Sequence, residues 1–290
     1  MTTTAYRITS GEHFKLNDFK TSPTTDADKS ELKERIQSDI EEIKKVQELF
    51  FADRRYAVLM IFQAMDAAGK DGAIKHVMSG INPQGCNVHA FKAPNSTELA
   101  HDFLWRHHQV MPERGKIGIH NRSHYEFVLT CRVNPHYVLN ENLPDVRQVG
   151  DLDKKFWDAR LKQILHFEQK LVENGTLVLK FFLNVSKEEQ KKRLLERIDV
   201  PAKHWKFDPS DLQSRAKWDE YMYAYQEAIR ATSTKQTPWY IIPADDKWYA
   251  RALIARILKE TLQSLDIRYP AMSEADMQKL EEARKKLIGE

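Results

Sequence analysis

The chain has 290 residues, 30% of them charged and 41% hydrophobic, and its 45 Lys and Arg against 42 Asp and Glu give a formal charge of +3. That length suits one large α/β domain with a substantial core. No apolar run approaches the ~18 residues of a membrane span, and so even a charge balance gives no argument for nucleic-acid binding by itself. Two cysteines, Cys86 and Cys131, make neither a disulfide framework nor a metal cluster and read as small buried hydrophobes. With no apolar signal-peptide core in residues 1–7, the expectation is a soluble cytoplasmic protein.

The first residues, with Thr-Ser-Pro-Thr-Thr at 21–25, read as an arm over the surface. Leu32, Ile36, Ile40, Ile43, Val46 and Leu49 recur at helical spacing and predict an amphipathic helix over 30–50. Strand and helix signals then alternate. Strands are predicted at Tyr56–Phe62, Cys86–Phe91, Lys116–His120, Thr176–Leu183 and Trp239–Ile242. Between them helices are predicted at Ala73–Met78, Thr97–His107, Tyr125–Arg132, Leu152–Val172 and twice between Ser186 and Ala231. This order implies right-handed βαβ units and a five-stranded parallel sheet covered on both faces. Helical patterns at Trp248–Leu265 and Glu274–Ile288 end the chain. With no internal repeat and no low-complexity linker, residues 1–290 are expected to form one domain.

The segment from Met60 to Gly72 reads as a phosphate-binding loop. The apolar run Tyr56–Phe62 leads into Ala67, Ala68, Gly69, Lys70, Asp71 and Gly72, and a helical stretch follows. Small residues let successive backbone N–H groups turn inward around a phosphate, and the helix N-terminus and Lys70 add positive charge. The usual pattern is G-x-x-x-x-G-K-[ST]; here Ala64 replaces the first Gly and Asp71 replaces the Ser or Thr that touches Mg²⁺. A metal ligand must therefore come from elsewhere, and Asp66 is the obvious candidate. The loop alone leaves NTPase, nucleotide kinase and GTPase open.

A second strand ends at Asn121, Arg122 and Ser123. In P-loop kinases a polar residue at the tip of a neighbouring strand faces the phosphates and metal, and an Arg beside it can neutralise the transferring group. Taken with Asp66–Gly72, the segments Gly80–Cys86, His101–Arg106, Asn121–Tyr125 and Pro238–Arg251 resemble the polyphosphate kinase 2 family over roughly residues 30 to 265. The resemblance implies a P-loop kinase-like, three-layer α/β/α fold with a helical lid. It also implies transfer from inorganic polyphosphate to a nucleotide (ADP, AMP and their guanine counterparts), reversibly, so that ATP is product or donor. Asp66 would hold Mg²⁺, with Mn²⁺ as a substitute, helped by Asn121. Lys70 and the N–H groups of Ala67 to Gly72 would cradle polyphosphate, and Arg122 would stabilise the transferred group.

The basic segment between Lys187 and Lys217 is the expected lid. Its default reading is a solvated face, because acidic residues are interspersed. In nucleotide-kinase-like folds, however, that position carries a mobile lid whose arginines close over the phosphates. Arg193 and Arg197, four apart, share one helix face, and Pro201 breaks the helix. Lys203, Lys206 and Arg215 could extend a basic track. Lys92 and Arg106 are weaker candidates for acceptor phosphates, alongside Asn121 and Glu126. Asn stands at 121 where much of the family has Asp. Together with Glu126, it resembles the subgroup that phosphorylates both nucleoside mono- and diphosphates. A homodimer or homotetramer is expected, with neither nucleic acid nor membrane as partner.

Two other readings compete. An ATP-dependent nucleoside monophosphate kinase of the thymidylate-kinase type would need ATP as donor. A noncatalytic polyanion-binding module would bind in a salt-dependent way without turnover; Asp66 in the loop argues against it, since a carboxylate facing a polyanion makes sense only with a bridging cation. The eleven histidines show no metal-ligand spacing, and none is expected to act in catalysis.

Overall fold

A computed structural model of the chain describes residues 2–24 and 28–290; Met1 and the end of the expected arm, residues 25–27, lie outside the described residues. After β1 (Arg7–Ile8) the long helix α1 (Lys29–Asp53) is started by Asp28, whose side chain accepts the Ser30 N–H, and ends at Arg54 in the left-handed conformation. Strand β2 (Ala57–Gln63) is buried throughout and runs through the loop into α2 (Lys70–Val77). Next come β3 (Cys86–Ala90), the single turns α3 (Ser96–Leu99) and α4 (Trp105–His108), and β4 (Ile117–Asn121). Two further single turns, α5 (Thr130–Val133) and α6 (His136–Leu139), precede α7 (Lys154–Glu173) and β5 (Thr176–Asn184). The remainder is α8 (Lys187–Asp199), α9 (Ser210–Ala216), α10 (Trp218–Thr232), β6 (Trp239–Pro243), α11 (Lys247–Gln263) and α12 (Glu274–Ile288).

The sheet order is β1-β6-β5-β2-β4-β3. The five predicted strands are all present and parallel, and β1 adds a sixth, antiparallel to β6. A two-residue edge strand carries too little alternation to be read from sequence. Helices α1, α2 and α11 pack together, and α7 packs on β5 and on α10, so apolar strands such as β2 are covered on both faces. Among the described residues no helix is long and apolar enough to cross a membrane.

Two predicted helices are shorter than their patterns. The one expected at 97–107 splits into α3 and α4, because the Asp102 side chain takes the Leu104 N–H and competes with the helical bond. The one expected at 125–132 is a 3₁₀ turn (His124–Phe127) followed by α5. Two helices expected between 186 and 231 are three, with a 3₁₀ turn over Pro201–Lys206 between α8 and α9.

One buried polar network matters for the site. Lys180 on β5 and Glu168 on α7, both fully buried, meet at 2.5 Å, and Lys180 also donates to the Thr232 carbonyl at 2.7 Å. Tyr125 donates to Glu168 at 2.7 Å. A buried pair is retained at low cost only when its remaining groups are bonded, as here. The effect is to anchor the turn that directly follows Asn121 and Arg122.

Candidate active site

Parallel strands bring the loops after β2, β4, β5 and β6 to one edge of the sheet, where such folds bind ligands. A cleft of about 520 Å³ opens there, and nine basic residues against five acidic ones line it, an excess of positive charge suited to a polyanion. Another cavity of about 530 Å³ lies at the opposite end of the sheet, but among the described residues Arg7 and Glu260 are its sole charged lining residues, and none of residues 66–72 reaches it.

The loop is held by unusual backbone. Ala67 (φ 60°) and Gly69 (φ 107°) adopt the left-handed conformation, which at 69 favours glycine. Gly72 in the first turn of α2 lets the Arg251 guanidinium approach; a Cβ there would lie 3.1 Å from its Nη2. The Lys70 ammonium donates to the carbonyls of Ala64 (2.9 Å) and Met65 (3.4 Å). Burial holds its pKa below the usual lysine range, and the Arg122 charge adds to this.

Arg122, also left-handed (φ 62°), donates its backbone N–H to Phe62 and so is tied to the last turn of β2. Its guanidinium meets Asp66 at 2.7 Å and Glu126 at 3.7 Å. Glu126 first, and Asp66 after burial, hold the Arg122 pKa above the usual range. Glu126 lies behind Arg122: it accepts from Thr130 at 2.6 Å, and the Gln63 amide, with its oxygen toward Ser123, reaches it at 2.9 Å. Asn121 donates its amide to Asp71 at 2.6 Å, which leaves its oxygen free of that bond.

The predicted basic residues divide into three groups. Lys92, Lys203 and Lys206 line the cleft, with Lys203 paired to Glu196. Arg197 lines it too, bonded to Asp211 at 2.7 Å and to the Lys206 carbonyl at 3.1 Å. Burial, and next the Asp66 carboxylate, push Asp211 up to about 6. Arg193 borders the cleft but is buried and faces the protein. Its Nη1 donates to Ala67 and Ala68 carbonyls (3.3 and 2.6 Å), its Nη2 to Ala244 and Asp245 (2.6 and 3.0 Å), and its Nε to Glu189 (2.8 Å). All five guanidinium N–H groups are thus used within the chain, so this arginine is a strut under the loop.

Arg106, Glu126 and Arg215 are not brought to the cleft. Arg106 pairs with Glu98 at 3.3 Å, against the Phe91 ring. Arg215 donates to the Lys187 carbonyl and to Gln190, and the Gln190 amide in turn holds the Asp66 carbonyl at 3.0 Å.

The sequence reading missed Lys247 and Arg251, which line the cleft from α11. Burial, and then the nearby Arg193 charge, lower both their pKa values, and neither makes an ion pair among the described residues. Their i, i+4 spacing directly after the last strand is the signal that could have found them. Trp205, 78% exposed, and Asp208 also border the opening.

Among the described residues no three His, Cys, Asp or Glu side chains gather to hold a metal by themselves. Asp66, with one oxygen on Arg122, the Asn121 oxygen and the Asp71 carboxylate bonded to Asn121 are oxygen donors beside the loop. That sparse oxygen set fits a hard cation held chiefly by phosphates and water rather than by a protein cage.

A family model for polyphosphate kinase 2 matches residues 26–270. An ADP-polyphosphate phosphotransferase from Rhodopseudomonas palustris is 46% identical over 288 residues, covering 99% of this chain and 98% of that protein. An AMP/ADP-polyphosphate phosphotransferase from Meiothermus ruber is 43% identical over 267 residues, 91% of this chain and 94% of that protein. The crystal structure of polyphosphate kinase 2 from Arthrobacter aurescens superposes with a TM-score of 0.83 at 37% identity, over 94% of each chain. A P-loop at the centre of a parallel sheet, a basic cleft at its strand ends and similarity over nearly the whole length agree: this chain belongs to the polyphosphate kinase 2 family.

Proposed function

We propose that the chain transfers the terminal phosphate of inorganic polyphosphate to ADP and AMP, and to the guanine counterparts, reversibly. The observation that carries this reading is the cleft itself, where cations from the P-loop, β4, α8 and α11 converge around the Asp66–Arg122 pair. Its excess of positive charge suits two phosphorylated substrates meeting end to end.

The loop N–H groups from Ala67 to Gly72 and the α2 N-terminus bind the donor end, and Lys70 swings from its carbonyls onto a phosphate oxygen. Arg122 neutralises charge on the group in transfer, with Glu126 and Asp66 fixing its fork. Asp66 and Asn121 would hold Mg²⁺, which when bound would offset the negative charge that donor and acceptor phosphates bring together. Lys247, Arg251, Lys92, Lys203 and Lys206 supply positions for the rest of the polyanion and the acceptor phosphates. The turn over Pro201–Lys206, with the exposed Trp205, closes over the cleft and excludes water. Because Arg193 and Gln190 tie α8 to the loop, closure belongs to residues 200–210 rather than to the whole of 187–217.

The names of the Rhodopseudomonas palustris and Meiothermus ruber relatives differ, ADP alone in the first and AMP with ADP in the second. Acceptance of both rests on Asn121 and Glu126 as they stand in the Asn121–Glu126 string. The test is an ATP-free assay with polyphosphate and ADP, then AMP, with and without Mg²⁺. Product ATP from ADP supports the reading, whereas activity only when ATP is the donor points to a thymidylate-kinase-like enzyme. AMP giving no ADP while ADP gives ATP would restrict the enzyme to diphosphates.

A further inference from the structure

The terminal helix α12 has a shape the mechanism does not use. It is 15 residues long, started by Ser273, whose side chain accepts the Asp276 N–H, and none of its residues is buried. A helix of that length is marginal in water unless one face is packed. It does possess such a face. Met277, Leu280 and Leu287 recur at heptad spacing with Ile288 beside them, and each is at least half exposed.

The charges along the same helix are segregated. Residues 274–282 carry Glu274, Asp276, Glu281 and Glu282 against Lys279, a net of −3, while residues 283–288 carry Arg284, Lys285 and Lys286, a net of +3. This order also suits the helix macrodipole, but the macrodipole calls for no apolar stripe. Stripe and polarity together define a surface complementary to itself when turned end for end. Two parallel copies would set acidic half beside acidic half; two antiparallel copies set each acidic half against a basic one.

We propose that α12 is a self-association surface, pairing with α12 of a second copy of this chain as an antiparallel two-helix coil on a twofold axis. The stripe fixes the register. Met277 faces the partner's Leu287 and Leu280 faces the partner's Arg284, because both pairs are centred on residue 282. Arg284, the one charged residue within the stripe, lays its aliphatic stem over the partner's Leu280. Its guanidinium then reaches the carboxylates of Asp276 and Glu281 on that same partner helix. The contact is isologous, as a closed dimer requires. The interface is small, so it joins copies in a concentration-dependent way. The proposal is independent of the phosphotransferase reading, since α12 supplies no residue to the cleft.

The test is sedimentation velocity on the full chain over a range of concentrations, beside the variant Leu280→Asp with Leu287→Asp. The wild type is expected at no less than twice the 33.9 kDa chain mass, and the variant at half the wild-type mass with an unchanged thermal midpoint. Direction is read by oxidation. Met277→Cys with Leu287→Cys should give a covalent dimer, while Met277→Cys alone should not, since its two copies then lie ~15 Å apart. The native chain, with Cys86 and Cys131, is the control. A monomeric wild type, an unchanged mass in the Asp variant, or cross-linking by Met277→Cys alone would each overturn the proposal; the last would indicate a parallel pair, the second docking elsewhere.

Discussion

Replacing Arg193 with alanine separates two roles that one arginine beside a phosphate cleft can have. In the structure its five N–H groups hold four backbone carbonyls and Glu189, joining the loop after β2 to the segment after β6. Hydrogen bonds to a charged group are worth roughly 1.5–3 kcal/mol each, but removing one partner is not additive over five, because water enters the gap. Breaking one side of a buried charged network costs about 3–5 kcal/mol. At about 2 °C per kcal/mol for a chain of this size, the melting midpoint should fall by roughly 6–10 °C. Turnover should fall as well, by about 100-fold if the loop shifts by ~1 Å. Arg193→Lys keeps the charge but cannot span both pairs of carbonyls, so it should recover little of the stability. Calorimetry without substrates, followed by initial rates with polyphosphate and ADP, checks both numbers. A wild-type midpoint in Arg193→Ala, combined with weakened polyphosphate binding, would refute the strut and return this residue to the phosphates.

Asp66→Asn and Lys70→Ala should each lower turnover at least ~100-fold, since charge preorganised at the transferring phosphate supplies several kcal/mol of barrier lowering; near-normal rates would remove the loop from the chemistry. Hydrogen exchange should slow at residues 200–210 when polyphosphate is added, whereas α8 around Gln190 and Arg193 should exchange slowly with or without it. Asp211 is pushed up to about 6, so the folded protein takes up this proton more readily than the unfolded chain, and the group adds stability as pH falls from above 6 toward 3.8. The pH profile of kcat/KM should bend near 6, and Asp211→Asn should remove that bend. His120 has the opposite sign. Burial, then His124, holds it down to about 3, so its contribution is full above pH 6.5 and is lost as pH falls from 6.5 toward 3. Urea melts of His120→Leu at pH 7.5 and 5 should show a smaller drop than the wild type.

What could be read from the sequence was encoded in short stretches. The glycine-containing turn at 67–72 between a strand-like run and a helix needs only neighbouring residues to suggest a phosphate loop, and parallel strands such as β2 and β5 announce themselves by their own apolar runs. The terminal helix at 274–288 matches its predicted bounds because its caps and periodicity are local. Arg193 and Arg197 show the limit. Both lie on one face of α8 four residues apart, and no pattern distinguishes them. Yet packing against the loop buries the first among backbone carbonyls and leaves the second at the rim, bonded to Asp211. Arg106 and Lys92 diverge for the same reason: the break at Asp102 turns α4 so that Arg106 meets Glu98, while Lys92 stays at the strand end. Lys247 and Arg251 lie nearly 180 residues beyond Lys70 in the chain, and only the parallel pairing of β5 and β6 beside β2 brings them to the same cleft. Local chemistry thus determined where the glycine-containing loop and its flanking strand and helix lie. Which cations face the cleft beside it was decided by long-range packing, because burial and partner choice depend on residues distant in sequence.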